Sequence, residues 1–186
     1  MMRNAGTIST LLFTIAASAL LAQAPPQPRP PEDYSMFLQA QYSGLKRNII
    51  GSAEKMPAEH FSFKPSPEVR TYAQQLGHII DTQYFFCNAV KGGSNPGTGK
   101  DFEKITERAA MVEAVKEAFA YCDDAFSSLT NDTAMQMITI GAAPNQRQAA
   151  RANQLTMVIV HGTEHYGNLV TYMRIKGIVP PSSAPQ

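Results

Sequence analysis

Three histidines carry the strongest chemical signal in this sequence. His161 and His165 stand in the stretch HGTEHYGN, four residues apart. On a helix that spacing puts two imidazoles side by side on one face. His78 stands far upstream, in QQLGHIID. Imidazole is the commonest protein ligand for transition metals. Three protein ligands leave one position for water or substrate, the pattern of a catalytic rather than a closed structural site. The fourth histidine, His60, lies in the proline-rich stretch PAEHFSFKPSP and is expected to be exposed and uninvolved.

The same stretch also fits a different chemistry. His161-x-x-Glu164-His165 matches the inverted zinc-peptidase pattern H-x-x-E-H, in which the glutamate is the general base. That pattern needs a further acidic ligand well downstream, and the 21 residues after His165 contain no Asp or Glu. The peptidase reading is therefore set aside. Asp81, three residues after His78, and Glu164 are then candidates for accepting the N–H of a ligand histidine. The competing reading for each is a solvated helix charge. Tyr166 is expected in the core, while Asn168 and Tyr172 are candidates to line a pocket. No Ser-His-Asp set, Gly-rich phosphate loop or Walker pattern is present. Spacing alone leaves two readings of the histidines themselves. One is a three-histidine site near a cleft or bundle mouth; the other is unconnected surface histidines. At 100° per residue His161 and His165 fall on the flank of their apolar stripe, and His78 lies further round from its own.

The elements that would carry these residues read as four helices with no convincing strand. The first covers about residues 33–56, with Leu38, Tyr42, Leu45, Ile49, Ala53 and Met56 at spacings of three and four. Pro57 closes it. The second begins at Thr71, with Gln74 three residues on in a capping-box pattern, and ends at Lys91-Gly92-Gly93. The third covers about residues 106–129, with a stripe from Val112 through Phe119 and Cys122 to Leu129. Residues 131–145 read as an irregular connection whose MQMITI piece packs as a lid or short turn. The fourth covers about residues 146–176; Met157-Val158-Ile159-Val160 alone suits a strand, but the longer stripe through Gly162, Tyr166 and Leu169 decides for a helix. Four helices of similar length with two long connections read as a four-helix bundle, all-α.

The ends of the chain read differently. Residues 1–24 combine Arg3, an apolar run from Ile8 to Leu21 and small residues at Ala22 and Ala24, which reads as a signal peptide cleaved after Ala22 or Ala24; an uncleaved anchor is the alternative. Residues 25–31 form a proline-rich spacer, residues 32–179 the folded domain, and residues 180–186 a Pro/Ser tail. Export to the periplasm or medium follows from the signal peptide, with no stable membrane span after processing. Removing residues 1–24 leaves 16 − 1 = 15 basic against 15 acidic residues, so nothing suggests nucleic-acid binding. In an exported chain Cys87 and Cys122, each on an apolar stripe, are candidates for one disulfide; two buried free thiols are the alternative. A homodimer stays open, since many bundles dimerise and no exposed apolar face is assignable.

The residues of the second and fourth helices also resemble a known family. TYAQQLGHIIDTQYFFC, with its single histidine, and HGTEHYGNLVTYMRIKGIVPPSS, with H-x-x-x-H and a Gly-Ile-Val-Pro-Pro tail, are similar to the corresponding helices of DinB-like (damage-inducible B-like) proteins. The resemblance covers about residues 33–183. It implies an up-down-down-up four-helix bundle with long crossover connections and a divalent metal, zinc or nickel, held by three histidines, here His78, His161 and His165. Relatives in the wider superfamily include transferases and isomerases that use a low-molecular-weight thiol, with the metal activating the thiolate. The reading taken is a metal-dependent hydrolase or thiol transferase acting on a small molecule; a non-catalytic module that binds a small ligand or metal, and a bundle with a vestigial site, are the alternatives. The export signal departs from the cytoplasmic relatives, and low-molecular-weight thiols are mainly cytosolic.

Overall fold

The structure is a computed structural model and describes residues 33–141 and 143–184. The signal peptide and spacer expected over residues 1–31 lie outside the described residues. Asp33 caps the first helix, α1 (Tyr34–Lys55), by accepting the backbone N–H of Met36 at 2.8 Å. The second, α2 (Tyr72–Lys91), opens on the capping box: Thr71 Oγ1 accepts the Gln74 N–H, and Gln74 Oε1 accepts the Thr71 N–H. Next come α3 (Arg108–Ser127), a single turn α4 (Asn131–Ala134), and α5 (Arg151–Ile175). Among the described residues the four long helices and their seams hold the core. Ile49, Tyr72, Leu76, Ile79, Val115, Phe119, Leu155 and Leu169 are fully buried there.

Side-chain pairs fix the direction of each helix. In the first half of α1, Gln39 donates to the carbonyls of Phe126 and Leu129 at and just beyond the end of α3, and Tyr42 stacks on Phe126 at 3.9 Å. Near the end of α1, Arg108 donates to the carbonyls of Met56 and Glu54. The first residues of α3 therefore meet the last of α1, and the two run antiparallel. Cys87 is bonded to Cys122 and Lys91 donates to the Tyr121 carbonyl, so α2 and α3 run parallel. Tyr34 pairs with Thr156 near the start of α5, and Lys55 meets Val179 beyond its end, so α1 and α5 run parallel. The order is up-down-down-up. Each of α1 and α2 packs on both α3 and α5, which puts α1 diagonally across from α2.

The bundle is all-α as expected, but the connection between α3 and α5 corrects the reading of residues 131–145 as an irregular stretch without a strand. Met137–Ile140 forms a strand, β1, antiparallel to β2 (Arg147–Ala150), with Met137 opposite Ala150 and Ile140 opposite Arg147. The β-branched residues of MITI suit a pleated edge. Ile140 is buried and Ile138 packs on the core, whereas Met135 and Met137 are exposed. Gly141, at φ 83°, supplies the left-handed turn that lets the chain double back. The fourth long helix therefore starts at Arg151 rather than near residue 146. Arg147 to Ala150 has no strand signature of its own; pairing with β1 overrides its helical propensity.

Candidate metal centre

The two helices that face each other antiparallel across one seam, α2 and α5, bring three histidines together. His78 projects from α2, His161 and His165 from α5. One ligand nitrogen from each ring lies within 4.8 Å of the others. Ring centroids are 4.4 Å apart for His161 and His165, 4.6 Å for His78 and His165, and 5.1 Å for His78 and His161. His165 is buried; the other two are half-buried. Helical pitch places the pair on α5, and the antiparallel packing of α2 supplies the third ring.

Gln75, one turn before His78 on α2, sets the state of His165. Its side-chain oxygen is 2.9 Å from His165 Nδ1. An amide oxygen only accepts, so the proton of a neutral His165 sits on Nδ1 and Nε2 carries the lone pair. That Nε2 is 3.2 Å from His161 Nε2. Two imidazole nitrogens on one ion with bonds of about 2.0–2.1 Å stand about 2.9–3.4 Å apart. Three nitrogen donors suit borderline transition ions, whereas calcium and magnesium take oxygen ligands. The donor set and its spacing therefore fit a divalent transition metal.

Electrostatics keep the rings neutral. Burial lowers the His165 pKa to about 4, and the charges of His161 and His78 push the same way. Burial also lowers His78, helped by Arg70 and His161 and opposed by Glu103. His161 is lowered by burial, against the pull of Glu164. A neutral imidazole is the form that ligates.

The surroundings differ from the sequence reading. Neither Asp81 nor Glu164 hydrogen-bonds to a histidine. Glu164 is exposed, and Asp81 has its carboxyl raised by burial and by the nearby Glu103 and Asp101. The contacting partners are Gln75 and Glu103, and Glu103 Oε1 lies 3.5 Å from His78 Nδ1. Gln75 was legible in principle, at three residues before His78 on the same helix. Glu103 carries no signal of spacing at all. Tyr172, a candidate to line a pocket, is buried, and its hydroxyl donates to the Arg70 carbonyl at 2.8 Å. Tyr166 is buried, with its hydroxyl on Ser182 at 2.8 Å, and Asn168 is half-buried. His60 is half-buried, outside the cluster. The ring of Phe86 stands 6.0 Å from that of His161 and forms an apolar wall.

Fold and site together define an up-down-down-up helical bundle with a histidine triad at one helix seam that could bind a metal. The sequence pattern of the DinB superfamily matches residues 41–169, most of the chain, and the protein belongs to that superfamily. The Bacillus subtilis protein YjoA is 26% identical over 133 residues, covering 70% of this chain and 84% of YjoA. Among solved structures, a DinB-like protein from Bacillus cereus superposes with a TM-score of 0.64 at 18% identity, covering 81% of this chain and 97% of its own. The YjoA structure gives 0.59 at 20% identity, covering 80% and 99%. Bacillus subtilis YfiT gives 0.58 at 12% identity, covering 85% and 96%; it is described as a probable metal-dependent hydrolase with an unusual four-helix bundle topology.

Proposed function

We propose that His78, His161 and His165 hold a divalent ion, zinc or nickel, and that the protein is an exported metal-dependent hydrolase or thiol transferase acting on a small molecule. The carrying observation is the convergence of three imidazoles from two helices, with one ligand nitrogen of each within 4.8 Å of the others. The description of YfiT as a probable metal-dependent hydrolase supports the same reading. When bound, such an ion supplies Lewis acidity and lowers the pKa of a ligand nucleophile. The chain's own residues do the rest. Gln75 orients His165, the Phe86 ring stands edge-to-face against His161, and burial disfavours protonation of each imidazole. The Cys87–Cys122 bond suits export, because disulfides persist in oxidising compartments.

Metal content tests the proposal. The untagged mature chain, purified and reloaded with zinc or nickel at neutral pH, is expected to carry about one ion per chain, and His78→Ala and His161→Ala little. Absence of either ion above background in the wild type sinks both the site and the enzyme. A metal-loaded chain that turns over no hydrolase or thiol-transfer substrate leaves the binding module. For export, mass spectrometry of the chain from its native host is expected to find an N-terminus after Ala22 or Ala24; an intact Met1 in the cell interior refutes it.

A further inference from the structure

We propose that Glu103 is a positioning residue for the histidine site: its carboxylate accepts the Nδ1 proton of His78 and so keeps Nε2 turned toward His161 and His165. The inference rests on the metal-site reading above and adds a residue that neither spacing nor helix placement marks out.

Glu103 sits in a short 3-10 turn, Phe102–Lys104, on the long connection between α2 and α3. Its Oε1 faces His78 Nδ1 at 3.5 Å and the Nε–H of Arg70 at 3.0 Å. Arg70 therefore tethers the carboxylate beside the ring. Arg70 is itself pinned, because its carbonyl accepts the Tyr172 hydroxyl from α5 at 2.8 Å. The bracket thus runs from the helix of His165, through Tyr172, Arg70 and Glu103, to His78 on the opposite helix. The side chains of His78 and Glu103 are 24% and 28% exposed, too enclosed for a casual surface pair.

The turn is seated by a glycine. A Cβ on Gly77, the residue before His78, would stand 2.5 Å from the Phe102 carbonyl oxygen and 2.7 Å from Glu103 Cα. No side chain fits there, so only glycine lets backbone 102–103 lie against α2. Phe102 is buried and its ring stacks on that of Tyr84, 5.6 Å away. The turn is therefore held on α2 by packing as well as by the ion pair. At 3.5 Å the carboxylate lies at the outer edge of hydrogen-bond range from Nδ1; having no proton to give at neutral pH, it would select the Nδ1–H form of a neutral imidazole and leave the lone pair on Nε2. Such partners fix the tautomer and ring orientation of metal-ligating histidines. Gln75 does the same for His165 with an amide. Two ligands on facing helices are thereby preset by two different groups.

Ring ¹⁵N–¹H correlation spectra of the labelled wild type test this directly, with His78 signals identified by their loss in His78→Gln. The expected result is the Nδ1–H tautomer of His78 in both the chelator-treated and the zinc-loaded chain. In Glu103→Ala the chelated chain should populate both tautomers, and the zinc Kd should rise about 10–100-fold. Glu103→Gln keeps an acceptor oxygen in reach and should restore the tautomer and most of the affinity, which a loss of mere packing would not predict. An Nε2–H tautomer in the wild type overturns the proposal, as does a Glu103→Ala chain that folds and binds zinc like the wild type. If Glu103→Ala does not fold, the wild-type tautomer and Glu103→Gln decide. A wild type that takes no zinc refutes the metal reading alone, because the tautomer of the chelated chain still judges Glu103.

Discussion

His165 feels burial, a fixed hydrogen bond and two neighbouring imidazoles at once. Its folded pKa, about 4, lies below the ordinary value of 6.5, and those of His78 and His161 are also lowered. Between the folded and ordinary values the unfolded chain binds more protons than the folded one. Stability therefore falls as pH falls through that window, and the loss from His165 is complete only below its folded value. Thermal unfolding of the chelated protein should show a midpoint that drops from about pH 7.5 to about pH 5.5, a range above most carboxyl titrations. The slope should flatten in a His165→Gln variant. An equally steep profile in that variant would mean the cluster is not the source.

Two helices approach their neighbours through glycine, and the two cases are not equivalent. Gly77 on α2 faces backbone, the Phe102 carbonyl, which cannot turn aside. Gly162 on α5 faces the Leu45 side chain, whose Cδ2 would be 2.6 Å from an added Cβ. A side-chain end can change rotamer, and Ala gains about 1 kcal/mol of helix propensity over Gly. Gly77→Ala should cost about 1–3 kcal/mol, as overpacking does, and Gly162→Ala clearly less. Urea unfolding of both variants checks the order; equal losses would contradict the packing argument. Gly77→Ala should also displace the turn that carries Glu103, so its His78 tautomer should resemble that of Glu103→Ala.

Across the whole molecule, Cys87–Cys122 ties α2 to α3 at a sequence separation of 35. That span contains the connection carrying the Phe102–Lys104 turn, so the bridge bounds the segment that supplies Glu103. A closed loop of this size stabilises by about 3–4 kcal/mol in the chain-entropy account. The Cys87→Ala/Cys122→Ala double variant should lower the urea midpoint by a corresponding amount with the helices intact by circular dichroism. A midpoint matching that of the oxidised wild type would show that the bond adds nothing to the fold. Among the described residues no helix is long and apolar enough to cross a membrane.

Periodicity made the long helices legible, because a stripe at three and four residues is a local property of the chain. Thr71 and Gln74 marked the start of α2 for the same reason: a capping box closes within one turn. His161 and His165 could be paired from sequence because helical pitch alone makes them neighbours. Whether His78 joined them depended on which helices touch. Only the tertiary packing decided that, by setting α2 antiparallel to α5. The β1–β2 hairpin escaped for a related reason, since Arg147 to Ala150 becomes a strand only by pairing with β1. Asp81 and Glu164 looked like partners because they are close in sequence, yet Glu103 reaches His78 from a separate turn. A side-chain contact between distant segments is fixed by how close their backbones can come. Here the missing Cβ of Gly77 sets that distance, a fact the sequence holds but only the folded chain interprets.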